Sequence, residues 1–274
     1  MESKVSFRAD LYRGTARYYD AYRPPYPEAL LDDLCQRLPA TGRGKLLDLA
    51  CGTGQVALSL AARFAEVWAV DQEPEMVAFG QRKADSMGIA NVRWVAGSAE
   101  RVRLDVDGGF ELVVVANAFH RLDREAVAAR MASWLRPGGG VALVWADSPW
   151  RGEEAWQRAM AGLLREWISK PGMRGRVPAG WQEAVDRKPD DRVLEGAGLD
   201  LVGKFDFPVE RIWTLESLAG FVYSTSFLNR LALGDRAAAY EQDLGAALRA
   251  VDSSGRYEEA ATCSYVLARK PVSA

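Results

Sequence analysis

The stretch Leu46-Leu47-Asp48-Leu49-Ala50-Cys51-Gly52-Thr53-Gly54 decides the fold of this 274-residue chain. A short apolar run ends at an acid and two closely spaced glycines. Val56, Ala57, Leu60, Ala61 and Phe64 then fall on one helical face. This is a strand, a glycine loop and a helix. The same unit repeats outward. Val67-Trp68-Ala69-Val70 predicts a second strand ending at Asp71, with a helix through Met76 and Phe79 behind it. Val92-Arg93-Trp94-Val95 predicts a third, ending at Gly97. Leu112-Val113-Val114-Val115 predicts a fourth, ending at Ala116 and Asn117. Val141-Ala142-Leu143-Val144-Trp145 predicts a fifth, after a helix marked by Val127, Met131 and Leu135. Near-continuous apolar strands alternating with helices predict a doubly wound, parallel α/β sheet.

The rhythm differs on either side of this core. Residues 1–44 read as an N-terminal helical lid, rich in Tyr12, Tyr18, Tyr19, Tyr22 and Tyr26, with a helix over residues 28–38. Residues 45–147 read as the ligand-binding core. Residues 148–192 read as a cap insertion in which Trp156, Met160, Leu164 and Trp167 share one helical stripe. Residues 193–274 read as the C-terminal part of the sheet with substrate-side helices. There a strand is expected over residues 201–207, helices over 215–231 and 237–248, and a last strand over 264–268.

Composition narrows the partners. A net charge of −2 offers no basic excess for a phosphate backbone, which disfavours nucleic acid. The longest apolar runs are strand-sized, so no membrane partner is expected. The charged N-terminus lacks an apolar signal segment. Cys35, Cys51 and Cys263 are scattered and odd in number, which points to a reducing, cytoplasmic location. With His120 the one histidine, no metal site is expected. The composition leaves the oligomeric state open.

Gly52-Thr53-Gly54-Gln55-Val56-Ala57 fits the dinucleotide pattern G-x-G-x-x-A, and Asp71 stands at the expected distance beyond it. Alone, this loop suits an NAD-dependent oxidoreductase nearly as well as any other nucleoside-binding protein. Asp48 shifts the balance. A carboxylate beneath a diphosphate would repel it. The ammonium and sulfonium of S-adenosylmethionine would be favoured there, while its own carboxylate takes backbone N–H groups. Asp71 is placed to accept from both ribose hydroxyls, with Gln72 beside it. Met76 would pack on adenine, near Gly97-Ser98-Ala99-Glu100. His120, after the fourth strand, is the candidate general base.

The ordered set Leu47 to Gly54, Val70-Asp71, Gly97-Ser98-Ala99-Glu100 and Leu135-Arg136-Pro137-Gly138-Gly139 resembles class I S-adenosylmethionine-dependent methyltransferases. The leader Tyr18-Tyr19-Asp20-Ala21-Tyr22-Arg23-Pro24-Pro25-Tyr26-Pro27 is similar to the small-molecule subgroup of type 11, trans-aconitate methyltransferase-like proteins. The resemblance departs at Ala50, where many members have glycine, and at Ser98, where an aspartate often contacts adenine. It implies a Rossmann-like, mostly parallel seven-stranded sheet with an antiparallel last strand and helical cap segments. It implies S-adenosyl-L-methionine as cofactor and a small-molecule methyl acceptor. Its cofactor residues would be Tyr19, Arg23, Asp48, Ala50, Gly52, Gly54, Asp71, Gln72, Met76, Ser98, Ala99, Glu100 and Asn117. A non-catalytic protein that kept the fold is the remaining alternative. Asn117-Ala118-Phe119-His120 stands where amino-methylating nucleic-acid enzymes carry a Pro-Pro-Tyr motif.

Overall fold

Consecutive residues of the central strands point into different cores. Leu46, Leu112, Val114 and Val144 pack on one face, while Leu47, Val113, Val115 and Leu143 pack on the other. This period of two is the geometry of a strand buried on both sides. It explains the unbroken apolar runs. The computed structural model describes residues 7–8, 10–38, 43–176, 178 and 180–272. Residues 1–6, read above as a charged stretch without a signal segment, lie outside the described residues.

The chain begins with α1 (Ala16–Tyr22) and α2 (Glu28–Arg37), then β1 (Lys45–Leu49), α3 (Gln55–Leu60), β2 (Glu66–Asp71), α4 (Pro74–Ser86) and β3 (Val92–Ala96). It continues with β4 (Phe110–Ala116), α5 (Arg124–Trp134), β5 (Leu135–Ala146), α6 (Ala155–Ser169), α7 (Trp181–Arg187) and α8 (Asp190–Gly196). The last third holds β6 (Asp200–Trp213), α9 (Leu215–Tyr223), α10 (Arg230–Leu233), α11 (Ala237–Val251) and β7 (Tyr257–Arg269). Seven strands pair in the order β3-β2-β1-β4-β5-β7-β6. The pairs among β1 to β5 are parallel, and β7 runs antiparallel to both its neighbours. The order reverses between β1 and β4, the switch point at which ligands bind in such sheets.

Helix α2 packs into the sheet core rather than standing apart. Leu30, Leu31 and Leu34 share a cluster with Leu46, Leu112 and Tyr265. The expected boundary near residue 44 thus separates chain segments and not separate cores. The cap has its own core. Trp156, Met160, Leu164 and Trp167 of α6 pack with Phe221 of α9 and Tyr240 and Leu244 of α11.

Strands β6 and β7 are longer than their apolar patterns predict. Pairing between β5 and β7 stops at Ala146 and Cys263, while β6 and β7 pair on to Trp213 and Tyr257. This overhanging ribbon carries Trp213 and Tyr257 into the cap core. Pro208 and the Glu258-Glu259-Ala260-Ala261 run disguise it as loop, because proline and glutamate are poor strand formers. Pro208 costs no ladder bond here. Opposite it, Thr262 directs its backbone groups to Asp147, so the Pro208 nitrogen faces the open edge.

The expected helix over residues 215–231 breaks after Tyr223. The Ser224 hydroxyl donates to the Phe221 carbonyl, and that of Thr225 donates to Val222. Side chains that compete for backbone acceptors favour helix ends.

The ribbon is held to the cap by buried polar groups. Glu259 is 3% exposed. It accepts from the Trp213 indole N–H at 2.7 Å and pairs with Arg211 at 3.5 Å. Burial pushes its carboxyl up, and these two partners oppose that. Removing one member of a buried pair leaves the other uncompensated. Glu259→Ala should therefore lower unfolding stability by about 3 kcal/mol or more. Glu258→Ala, at an exposed neighbouring position, should change it by under about 0.5 kcal/mol. Equilibrium denaturation of both variants checks this, and equal effects would contradict it.

Candidate functional site

The loop after β1 turns sharply. Ala50, Gly52 and Gly54 adopt φ of 60°, 56° and 83°. Glycine takes this left-handed region freely, but alanine pays for its Cβ. Ala50 and Asn117 (φ 52°) are the non-glycine residues with positive φ among the described residues. One ends β1 and the other follows β4. Both line the same cavity. Local strain of this kind clusters at ligand sites.

That cavity has a volume of about 400 Å³ and opens at the C-terminal ends of β1 to β4. Its size lies in the range of small-molecule sites. The structure brings Tyr19, Ala50, Gly52, Asp71, Gln72 and Met76 together in its lining. Ser98, Ala99, Glu100 and Asn117 join them from the loops after β3 and β4.

Asp71 organises this end of the cavity. One carboxylate oxygen accepts the Gly52 N–H at 2.8 Å, and the other accepts the Glu73 N–H at 2.9 Å. Burial pushes its carboxyl up, while the Glu73 and Gly52 bonds pull it back. The Gln72 backbone also donates to it, and since a carboxylate has about four acceptor positions, about one remains for a ligand. Tyr19 closes over the loop. A Cβ at Gly52 would meet the Tyr19 ring at 3.3 Å. Burial pushes the Tyr19 phenol up to about 12, so it stays neutral.

Asn117 is a structural tie as well as a lining residue. Its amide donates to the Tyr26 hydroxyl at 2.7 Å and accepts the Ala146 N–H at 3.1 Å. It thereby joins the leader to the ends of β4 and β5. Ser98 donates to Glu100 at 3.0 Å, and Glu100 accepts the Asp123 N–H at 3.3 Å. These bonds fix the loop after β3 against the start of α5.

Four expected site residues lie outside the lining. Asp48 sits under the floor, 1% exposed. One oxygen caps α3 by accepting the Ala57 N–H at 2.9 Å, and the other has no hydrogen-bond partner. Burial, assisted by Asp71, pushes its carboxyl up to about 7. Gly54 serves the turn. A Cβ there would strike the Trp94 ring at 2.4 Å, so the position answers to packing and not to ligand approach. Arg23 points at the cap instead. Its guanidinium lies over the Tyr19 and Phe221 rings and donates to Ser224 at 2.7 Å. His120 packs against the Trp181 ring, centroids 5.3 Å apart. Burial and then Arg121 push its imidazole down to about 3. A base so weak takes few protons near neutrality.

Residues not expected at the site complete the lining. Phe7, Arg8, Leu11 and Tyr12 reach over from the leader, and Arg121 and Leu122 follow His120. Asn229 of the cap holds this leader by donating to the Leu11 carbonyl at 2.9 Å. The crowd of leader tyrosines was the one hint of a lid. Arg121 had none, because its role depends on segments more than a hundred residues apart.

The chain matches the profile of a methyltransferase domain over residues 46–139. An uncharacterized methyltransferase of Mycobacterium tuberculosis is 40% identical over 129 residues, 46% of this chain and 48% of that protein. The chain thus spans about half the length of this relative. An uncharacterized methyltransferase-like protein of Schizosaccharomyces pombe is 27% identical over 214 residues, 78% of this chain and 76% of its own. A solved methyltransferase structure from Anaeromyxobacter dehalogenans aligns with a TM-score of 0.60 at 22% identity. It covers 92% of this chain and 99% of that one, a likeness of fold. The narrower likeness to trans-aconitate methyltransferase-like proteins rests on the leader residues alone. Domain profile, relatives and sheet order agree: residues 46–139 carry a methyltransferase domain, and the seven-stranded sheet has the fold of the solved methyltransferase structure.

Proposed function

We propose that this chain binds S-adenosylmethionine in the cavity above Gly52 and transfers its methyl group to a small-molecule acceptor. The observation that carries this is Asp71. It is held at the end of β2 by the Gly52 N–H, lines the cavity, and keeps acceptor capacity for a ligand. In this reading it receives the ribose hydroxyls. Met76 and Ala99, both buried and lining the cavity, offer apolar surface for adenine. Tyr19 covers the glycine loop. Asp48 acts through the floor: a cation above it stabilises its ionised form, and a diphosphate destabilises it.

When bound, S-adenosylmethionine supplies a methyl group already activated by the sulfonium charge. The remaining work is to orient two reactants and exclude water, for which effective molarities of about 10⁵ M are available. Phe7, Leu11 and Tyr12 from the leader close the cavity from above. Asn117 holds the end of β4 rigid beside it. No proton transfer by His120 is required. The acidic balance of the chain supports a small molecule over a nucleic acid as acceptor. Among the described residues no helix is long and apolar enough to cross a membrane.

Three outcomes are expected. Calorimetry should show one site for S-adenosylmethionine and no heat with NAD, and Asp71→Asn should weaken binding by about tenfold or more. NAD binding without S-adenosylmethionine binding would contradict the proposal. His120→Ala should leave turnover within about tenfold of wild type, with no step near pH 6.5 added or lost. A fall of several orders of magnitude would restore His120 as the base.

The third concerns pH. The folded value of Asp48, about 7, lies above its ordinary value near 3.9. Its contribution to stability is therefore full below about pH 4 and is lost as pH rises through about 7. The melting temperature of the free protein should fall across that window more than that of Asp48→Asn. Parallel curves would place the Asp48 carboxyl at its ordinary value.

A further inference from the structure

The cavity lining, which holds the carboxylates of Asp71, Glu100 and Asp123, also holds a guanidinium that no ion pair among the described residues engages. Arg121 lines the cavity after β4, and its Nε is buried with no acceptor among the described residues. Its Nη1 donates to the Ser226 hydroxyl at 2.9 Å, a neutral partner. The guanidinium carbon lies 5.1 Å from the Tyr12 ring centroid and 5.4 Å from that of Phe7. Arg176 meets the same residue, donating to the Ser226 carbonyl at 3.0 Å. Burial, and then Arg8, hold the Arg176 guanidinium below its ordinary value. Arg8 also lines the cavity, and its charge is answered by Asp10 at 2.8 Å. Neither Arg121 nor Arg176 forms an ion pair among the described residues.

A buried donor left unmade costs free energy, and a charged donor costs more. Arg121 keeps that cost in the free protein. The same geometry favours a ligand with a planar anion: the guanidinium fork is preorganised by two aromatic faces and a hydroxyl, and carboxylates bind such forks in two-point fashion. The rings beside it favour an apolar or aromatic body on that ligand.

Resting on the proposed function, we propose that the methyl acceptor carries a carboxylate-like anion on an aromatic or apolar frame. Arg121 is the residue that anchors this anion. The anion positions the acceptor; the methylated atom is elsewhere on the frame. The other ligand carboxylate that could meet Arg121 is the cofactor's own, and the two sources separate by experiment.

The test uses the full chain saturated with S-adenosylhomocysteine, with benzoate and its neutral isostere benzamide as probes. Ligand-observed NMR or calorimetry reads their affinities. Benzoate should bind wild type at least about tenfold tighter than benzamide. Arg121→Gln should abolish that preference, and Arg121→Lys should keep part of it through charge alone. Arg93→Gln, remote from the cavity, should keep all of it. Affinity for S-adenosylhomocysteine should stay within about twofold of wild type in Arg121→Gln.

Equal binding of benzoate and benzamide to wild type overturns the proposal whether or not the Gln variant folds. So does an unchanged preference in a folded Arg121→Gln. A loss of S-adenosylhomocysteine affinity with benzoate binding intact assigns Arg121 to the cofactor's carboxylate and also overturns it. Failure of wild type to bind S-adenosylhomocysteine contradicts the proposed function itself.

Discussion

The bond from the Gly52 N–H to the Asp71 carboxylate links the first glycine loop to the end of the neighbouring strand. It is short, at 2.8 Å, and charge-assisted, and such bonds are roughly twice as strong as neutral ones. It fixes where the backbone after β1 may run. Ala50 and Gly52 then have little choice but the left-handed conformation. Parallel pairing of β1 with both β2 and β4 sets the strand ends level. Ala50, Asp71 and Asn117 therefore stand around one opening instead of three.

The cost of this arrangement is met from below and from above. Below, the Asp48 carboxylate caps α3 and keeps one oxygen without a partner. A buried orphan of this kind is tolerated where the surrounding packing over-determines it. On its face of β1, shared with Leu46, the residues Val56, Ala57 and Val114 supply that packing. Above, the leader is tied at several points. Asn117 holds Tyr26, Asn229 holds the Leu11 carbonyl, and Arg23 reaches Ser224 in the cap. The β6–β7 ribbon anchors the cap that receives them. Cap and loop are thus parts of one enclosure.

Much of this was legible in the sequence, for reasons that can be named. Strands β1 to β5 are buried on both faces, so their apolar runs show without knowledge of their partners. The loop residues Ala50 and Gly52 and the strand-end Asp71 are legible because a βα turn places them by local geometry alone. The β6–β7 overhang was hidden because long-range pairing overrides the poor strand propensity of Pro208 and Glu259. Asp48, Gly54, Arg23 and His120 stand beside the cavity and not in its lining, for a related reason. Sequence gives their positions near the opening, but Ala57, Trp94, Ser224 and Trp181 decide which way each is occupied. Arg121 escaped notice beside the more conspicuous His120.

The central claim is that Asp71 receives the ribose of an adenosyl ligand. A cycle of four affinities tests it most directly: S-adenosylhomocysteine and its 2′-deoxy analogue, each against wild type and Asp71→Ala. The account predicts that the deoxy analogue binds wild type about tenfold more weakly and that this penalty vanishes in Asp71→Ala, a coupling of about 1.4 kcal/mol. A deoxy penalty of the same size in both proteins would contradict it.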